Sequence, residues 1–310
     1  MRAAPVKVLV TGGAGYLGTE LVAALAQRDE VSEVVVYDNL ARKNYNLFIS
    51  EKLPAKPIRF VLGDMLDTRK LRDELRGVVT VFHCAAMVTT PFGHEDPHGY
   101  EQVNHWGTAE LSYLLEESEV RRVVYTSTTS VYGARDGIVD LGTDPDPHSH
   151  YGMSKLRGER MLERLNDQLQ VYIVRCGNVY GYSKSMRFDA VINRFMFEAQ
   201  FNRRITIHGN GEQRRSFVHV HNAAGVHAAL GLGDLEPSTY NLVEKNLSIM
   251  EIAETLGALY EGLEMLFIQQ DMKRRNLEVA KDPRLDDFFD GRSFVDELRE
   301  FKEHFAFSPA

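Results

Sequence analysis

Residues 11–18 read TGGAGYLG and lie between the apolar run VKVLV and a stretch of helical period, YLGTELVAALAQR. Gly12, Gly15 and Gly18 therefore form the pattern G-x-x-G-x-x-G at a junction of strand and helix. In such a junction one glycine turns the chain sharply, one lets the backbone approach a pyrophosphate, and one lets the helix pack on the strand. The start of the helix offers unpaired N–H groups and a partial positive charge to that anion.

A carboxylate at the expected distance supports a dinucleotide ligand. Asp38 ends the second apolar run, VSEVVVYD, twenty residues after Gly18. A carboxylate at this position accepts hydrogen bonds from ribose hydroxyls and repels a 2′-phosphate, so we expect NAD rather than NADP. Arg42 and Lys43 leave NADP open as the alternative. Asp64, after the third predicted strand, is expected to reach the adenine side.

Short β-branched runs alternate with segments of helical period along the first half of the chain. Because their apolar runs are continuous, the predicted strands are expected to be buried on both faces. Repeated alternation of strand and helix predicts an α/β fold, a doubly wound parallel sheet of the Rossmann type. Further predicted strands are 58–64, 80–86, 121–129 and 171–177, and two predicted helices are 99–118 and 151–168.

The alternation loosens after residue 177, where aromatic residues and arginines become more frequent. We therefore expect an NAD-binding domain over residues 1–177, to which 216–245 return. Segments 178–215 and 246–310 are predicted to form a smaller C-terminal substrate-binding domain on the carboxyl edge of the sheet.

Composition excludes several classes of protein. The chain has 310 residues with a net charge of -8, and this acidic balance argues against nucleic-acid and anionic-membrane partners. Cys84 and Cys176 each end an apolar run and are interpreted as buried thiols in a reducing compartment. The first residues show no signal-peptide pattern, and no stretch reaches eighteen apolar residues. We expect a soluble, cytoplasmic protein without a metal site.

Tyr151 and Lys155 in HSHYGMSK (148–155) are four residues apart and therefore share one face of a helix. To take a proton from a hydroxyl, Tyr151 must be anionic although a free phenol titrates near ~10. One unit charge at ~5 Å lowers that pKa by ~2 at an effective dielectric of ~20. We expect Lys155 to supply one such charge and an oxidised nicotinamide the second.

Together these motifs resemble the extended short-chain dehydrogenase/reductases. Within that group the sequence resembles the NAD-dependent sugar-nucleotide epimerase/dehydratase family, closest to its UDP-glucose 4-epimerase-like members. The resemblance covers about residues 6–260 and is strong at YGMSK, at RCGNVYG (175–181) and at HGNGEQRRSFVHV (208–220). It implies cofactor contacts at Gly12, Gly15, Tyr16, Leu17, Gly18, Asp38, Asn39, Asp64, Met65, Ala85, Ala86, Asn104, Tyr151 and Lys155.

The resemblance also assigns Thr128, in TSTTSVYG (126–133), to the catalytic hydroxyl that binds the reacting oxygen of the substrate. Dehydratases of the family carry an acidic pair directly after this hydroxyl, since elimination of water needs an acid and a base. Here those positions are Thr129 and Ser130, which act neither as an acid nor as a base at neutral pH. Epimerisation or net oxidation and reduction is therefore expected rather than dehydration.

On the substrate side, the resemblance implies that Asn178 and Arg215 bind a nucleotide diphosphate, which suits the guanidinium fork. Arg214 is the competing choice, and Arg274 or Arg275 is a candidate for a further arginine. Two departures from the family leave the sugar open, namely Pro-Phe-Gly within 87–97 and His221-Asn222 where an aspartate is usual.

The sequence thus predicts an NAD-dependent epimerase of a nucleotide sugar, acting at C4 of a UDP-hexose. A dehydrogenase or ketoreductase of the same family, exchanging NAD at each turnover, is the alternative. A catalytically idle dinucleotide-binding protein is a third interpretation, although Tyr151, Lys155 and Thr128 are all present. The resemblance further implies a homodimer through the helices predicted at 99–118 and 151–168.

Overall fold

The computed structural model describes residues 4–49, 56–88, 96–269 and 276–307. Its main feature is a seven-stranded sheet that is parallel throughout. In the described residues the strands are β1 (Val6–Thr11), β2 (Val31–Asp38), β3 (Ile58–Leu62), β4 (Val78–His83), β5 (Arg122–Thr128), β6 (Ile138–Val139), β7 (Gln170–Cys176), β8 (Asn178–Tyr180), β9 (Arg204–His208), β10 (Arg214–His219), β11 (Thr239–Leu242), β12 (Lys245–Ser248), β13 (Glu264–Ile268) and β14 (Glu278–Val279). The order across the large sheet is β3-β2-β1-β4-β5-β7-β11, which confirms the predicted doubly wound α/β fold.

Helices cover both faces of this sheet because successive residues of each strand, which point to opposite faces, are apolar. Val8 and Val10 of β1 lie in one core cluster, whereas Leu9 lies in a second cluster on the other face. In the described residues the helices are α1 (Tyr16–Ala26), α2 (Thr68–Glu74), α3 (Pro97–Tyr100), α4 (Gly107–Glu116), α5 (His150–Glu163), α6 (Val191–Asn202), α7 (Val220–Leu232), α8 (Ile249–Leu259) and α9 (Phe294–Glu303).

The helix predicted at 99–118 is interrupted. A π-helical stretch, Glu101–Trp106, separates α3 from α4, and such bulges are frequent at functional sites. The helix predicted at 151–168 begins one residue earlier and ends at Glu163, five residues before the predicted end. Boundaries of this kind depend on turn hydrogen bonds that hydrophobic periodicity does not encode.

A further hydrophobic core lies beside the large sheet. It combines residues of α6, β9, α8 and α9 with Tyr180 and Phe217. A three-stranded sheet of order β12-β10-β8 joins it to the rest. Within the segment 216–245, α7 and β11 pack with the large sheet, whereas the part in β10 belongs to the small one. The division into two domains at the boundaries given above stays a prediction.

Three histidines are held inside the fold in the neutral state. Burial lowers the pKa of His83 and His219 to about 3 and that of His227 to about 4. An unfolded chain would bind protons on the same rings near pH ~6.5. The unfolded state therefore binds more protons below that pH, and stability falls as pH falls.

We predict that the free energy of unfolding drops by roughly 2 kcal/mol per histidine between pH 7.5 and pH 5. Denaturant unfolding at both pH values measures this drop, in a range where carboxylates stay largely ionised. His227→Gln should make it shallower by about one third. Equal unfolding free energies at the two pH values would contradict the prediction.

Candidate active site

Residues 11–18, here called the glycine turn, form a backbone cradle whose close contacts only glycine permits. Gly12 has φ of +69°, and a Cβ added to it would lie 2.6 Å from the Ala85 nitrogen. A Cβ on Gly18 would lie 2.2 Å from the Gly12 carbonyl oxygen, so the helix could not pack so closely. Helix α1 begins at Tyr16 without a side-chain cap, which leaves its first N–H groups for a ligand. The turn therefore fits a pyrophosphate of NAD.

The ends of β2 and β3 form the next part of the groove. The Asp38 carboxylate accepts hydrogen bonds from the N–H groups of Ala14, at 3.0 Å, and Leu40, at 2.8 Å. These two donors orient the carboxylate at the rim of the glycine turn, where a ribose hydroxyl would be expected. The Asn39 amide donates to the Asp64 carboxylate at 2.9 Å, which joins the two strand ends. Leu17 and Met65 pack into the adjoining cores.

Asn104 occupies the π-helical stretch and is completely buried. Its amide oxygen accepts from Met87 N–H at 2.8 Å, and its NH2 group donates to the Met87 carbonyl at 2.9 Å and to Ser154 Oγ at 3.0 Å. Both amide hydrogens are therefore engaged within the protein. The structure gives Asn104 a positioning role, since it fixes the chain that leaves β4 through Ala85 and Ala86.

Tyr151 lies in the first turn of α5, which the Ser149 hydroxyl caps by accepting from Gly152 N–H at 3.0 Å. The Thr128 side chain, at the end of β5, forms a hydrogen bond with the phenol. The Tyr100 ring packs edge-on against Tyr151 at 6.0 Å between centroids. The predicted catalytic hydroxyl and phenol are therefore adjacent, although they are distant along the chain.

Lys155 lies one turn further along α5 and is only 2% exposed. Its ammonium sits 4.0 Å from the centroid of the Tyr125 ring. Burial lowers the pKa of Lys155 to about 8. The side chain therefore loses part of its charge just above neutral pH.

The cation that opposes the effect of burial on the pKa of Tyr151 is not the expected one. Burial raises the pKa of Tyr151 to about 12, and the Arg187 guanidinium and the hydrogen bond from Thr128 act in the lowering direction. The main cation is therefore Arg187, where the sequence suggested Lys155. Asp189 holds this guanidinium through contacts of 2.6 and 3.1 Å. Arg187 lies in an irregular stretch after β8, where no spacing signal pointed to it.

The proposed diphosphate residues lie on the small sheet. Asn178 begins β8, is exposed, and donates to the Ser216 carbonyl at 3.0 Å. Arg214 forms ion pairs of 2.8 Å with Glu251 and Glu278, so its charge is already neutralised. This commitment disfavours Arg214 as the phosphate ligand. Arg215 donates to the Arg214 carbonyl at 2.8 Å, and its predicted contact with a diphosphate stays a prediction. Residues 89–95, Arg274 and Arg275 lie outside the described residues.

Residues 181–189, here called the strap, join the glycine turn to the chain after β8. The Tyr16 hydroxyl donates to the Gly181 carbonyl at 2.5 Å, and Thr19 Oγ1 donates to Ser185 Oγ at 2.7 Å. Buried Asn193 strengthens the junction, because its amide donates both to Tyr16 Oη and to the Arg187 carbonyl. Tyr16, predicted as a cofactor contact, therefore also ties the strap to α1.

Known proteins are similar to this chain in sequence and in fold. The chain matches the model of the NAD dependent epimerase/dehydratase family over residues 8–242. It is 30% identical over 244 residues to the Bacillus subtilis protein "Uncharacterized UDP-glucose epimerase YtcB", with 76% of each chain covered. It is 28% identical to the dTDP-D-glucose 4,6-dehydratase of Mus musculus, with 81% of this chain and 72% of that protein covered. MoeE5, solved in complex with UDP-glucose and NAD, aligns with a TM-score of 0.81 and 26% identity over 96% of this chain and 97% of that one.

A doubly wound sheet with a phosphate cradle after its first strand defines a dinucleotide-dependent enzyme of the Rossmann class. Since the family model spans most of the chain, the protein belongs to the NAD-dependent epimerase/dehydratase family. The predicted family and cofactor are thereby confirmed. The broad activity is that of a sugar-nucleotide epimerase or dehydratase. In the part of the chain that the structure describes, no helix is both long and apolar enough to cross a bilayer.

We predict that Arg187→Met raises the pKa of Tyr151 and so lowers the fraction of this phenol that is ionised at neutral pH. The acidic limb of the kcat profile should move to higher pH by about one pH unit, because Tyr151 must lose its proton to act. Arg187→Lys keeps a positive charge and is the matched control. An unmoved acidic limb in Arg187→Met would show that this guanidinium does not tune Tyr151.

Proposed function

We propose that the protein is an NAD-dependent epimerase that inverts C4 of a UDP-hexose through a transient 4-keto sugar. The observation that carries this proposal is the composition around the hydrogen-bonded pair of Tyr151 and Thr128. The two residues that follow Thr128, namely Thr129 and Ser130, bring hydroxyl groups and no carboxylate. The site therefore has a base for a sugar hydroxyl, while the acid and base that elimination of water needs are missing at these positions.

Each side chain has a defined part in this reaction. Tyr151 accepts the proton of the C4 hydroxyl while Thr128 holds the same oxygen by a hydrogen bond. NAD, held at the glycine turn and Asp38, would supply the hydride acceptor for this exchange. Lys155 and Arg187 stabilise the phenolate electrostatically, and Tyr151 finally returns its proton to the inverted C4 oxygen.

Inversion requires the sugar to turn while its diphosphate stays fixed. We infer that Asn178 and Arg215 anchor the diphosphate from the small sheet. An arginine suits this task because its fork can bind two phosphate oxygens at once. The UDP-glucose bound to MoeE5 and the UDP-glucose epimerase name of the Bacillus subtilis relative support UDP-sugars as the substrate class.

The hydrogen bonds between the strap and α1 support an epimerase rather than a dehydrogenase as the function. An epimerase regenerates its cofactor within each cycle and gains nothing by releasing it, whereas a dehydrogenase must exchange it. Hydrogen bonds from Tyr16 and Thr19 join the glycine turn to the strap, and the Asn46 amide donates to the Lys184 carbonyl at 2.5 Å. These bonds are expected to slow release of a bound dinucleotide.

We predict that the protein is purified with NAD bound and that Thr19→Val releases it about fivefold faster, since one hydrogen bond is worth ~1 kcal/mol. Ser185→Ala should have the same effect, and the double variant should add little because both residues serve one bond. Release is followed by the change in NADH fluorescence on competition with NAD. Thr255→Val, which removes a hydroxyl bonded within α8, is the control. Release at the wild-type rate in both strap variants would contradict the prediction.

The function itself is tested by incubating the purified protein with UDP-glucose or UDP-galactose and separating the products. Interconversion without accumulation of NADH is expected. Tyr151→Phe should retain NAD and lose turnover by about 10²–10⁴-fold, because the base is gone. Stoichiometric NADH would identify a dehydrogenase, and a product lighter by one water would identify a dehydratase. Unchanged turnover in Tyr151→Phe would remove the catalytic assignment.

We also propose a homodimer through the outer faces of α4 and α5. Trp106, at the junction with α4, is 56% exposed, and Tyr113, seven residues later, is 49% exposed. Residues spaced by seven lie on one side of a helix, so the two rings form an apolar stripe. A stripe of this kind suits packing against a second copy of the chain.

A further inference from the structure

We propose that Tyr125 is a positioning residue for the reaction, because the π face of its ring holds the ammonium of Lys155 in place and in the charged form. This inference rests on the proposed function, in which charged Lys155 assists Tyr151. Tyr125 lies on β5, three residues before Thr128, and is completely buried.

The geometry is that of a cation–π contact. Lys155 Nζ lies 4.0 Å from the centroid of the Tyr125 ring, well within the ~6 Å over which such contacts are attractive. A second aromatic neighbour of the ring is His83, stacked at 5.3 Å between centroids. Burial lowers the pKa of His83 to about 3, so this imidazole is neutral and does not compete for the ring as a second cation.

The hydroxyl end of Tyr125 contacts α5, and this contact fixes the position of the ring relative to Lys155. Its hydroxyl donates to the Lys155 carbonyl oxygen at 3.4 Å and also interacts with Thr108. Gly158 makes room for this hydroxyl, since an added Cβ would lie 2.3 Å from it and 3.0 Å from the Asn104 carbonyl. A glycine three residues after Lys155 is therefore what admits the ring between α5 and the π-helical stretch.

The other groups around Lys155 act differently from the ring. Burial raises the pKa of Cys84, at the end of β4, to about 11 and that of Cys176, on β7, to about 12, so both thiols stay neutral. Glu159, on α5 itself, favours the ammonium of Lys155 through its charge, but its carboxylate is also engaged by Arg175 at 2.7 Å. Burial raises the pKa of Tyr125 and, to a smaller extent, so does Glu159, so its phenol also stays neutral. The ring therefore adds the attraction of its quadrupole to that of the Glu159 charge.

The consequence concerns the pH range of activity. Burial favours the neutral amine, and the ring favours the ammonium. Without the ring, Lys155 should lose its proton at lower pH and with it the charge that assists Tyr151. The alkaline limb of kcat should then move to lower pH, whereas a purely structural defect would lower kcat equally at all pH values.

A series of nearly isosteric rings tests the proposal. Tyr125→Phe keeps the ring and removes the hydroxyl, and 4-fluoro-, 3,5-difluoro- and 3,4,5-trifluorophenylalanine at the same position weaken the quadrupole stepwise. The titration of Lys155 is followed by NMR of enzyme labelled at lysine ¹³Cε, with the resonance assigned by its loss in Lys155→Met. Across the series the midpoint should fall stepwise by roughly 0.4 to 1.5 pH units, with a parallel move of the alkaline limb of kcat.

Val123→Ala is the control, because it opens a cavity in the same strand and core cluster without changing the ring. A midpoint that does not depend on fluorination, or that moves equally in Val123→Ala, would overturn the role of Tyr125. That result would leave the proposed function intact if Lys155→Met still loses turnover. Full epimerase turnover in Lys155→Met would instead remove the proposed function, on which the role of Tyr125 depends.

Discussion

The site depends on the burial of a phenol and an ammonium one helical turn apart. Burial disfavours the charged form of each, so it raises the pKa of Tyr151 to about 12 and lowers that of Lys155 to about 8. Both groups therefore tend to be neutral, whereas the proposed proton abstraction needs both of them charged. The neighbouring groups must offset this tendency, namely the Arg187 guanidinium, the Thr128 hydroxyl and the Tyr125 ring.

The fold brings these groups together because parallel strands end at one edge of the sheet. Thr128 ends β5, and α5 leads back from the same edge with Tyr151 in its first turn. The strap then crosses from β8 to the glycine turn and carries Arg187 with it. One edge of the sheet thus holds the cofactor cradle, the base and the opposing charge, as is usual for ligand sites in doubly wound folds.

The parts of this site that are local in sequence could be predicted. The glycine turn, Asp38 and the pair of Tyr151 and Lys155 each depend on spacing within one strand or helix junction, and the sheet follows from its continuous apolar runs. Arg187 could not be found in this way, because its position depends on where an irregular segment crosses the fold. For the same reason Lys155 was predicted to lower the pKa of Tyr151, whereas Arg187 is the main cation with this effect. Asn104 forms hydrogen bonds with Met87 that support the neighbouring chain, and its predicted contact with the cofactor stays a prediction.

The high pKa of Tyr151 also bears on when the site can react. With a pKa of about 12, the phenol of Tyr151 is almost entirely protonated at neutral pH, so the chain by itself holds very little of the phenolate that would act as the base. A positive charge brought close to the ring lowers that pKa, and an oxidised nicotinamide would supply such a charge. Ionisation of Tyr151 would therefore be coupled to occupancy of the groove by the oxidised cofactor. In the proposed epimerase, this coupling would increase the ionised fraction of Tyr151 when the C4 hydroxyl has to lose its proton. With the reduced cofactor the pKa would rise again, so that Tyr151 would hold the proton it has accepted while the 4-keto sugar turns.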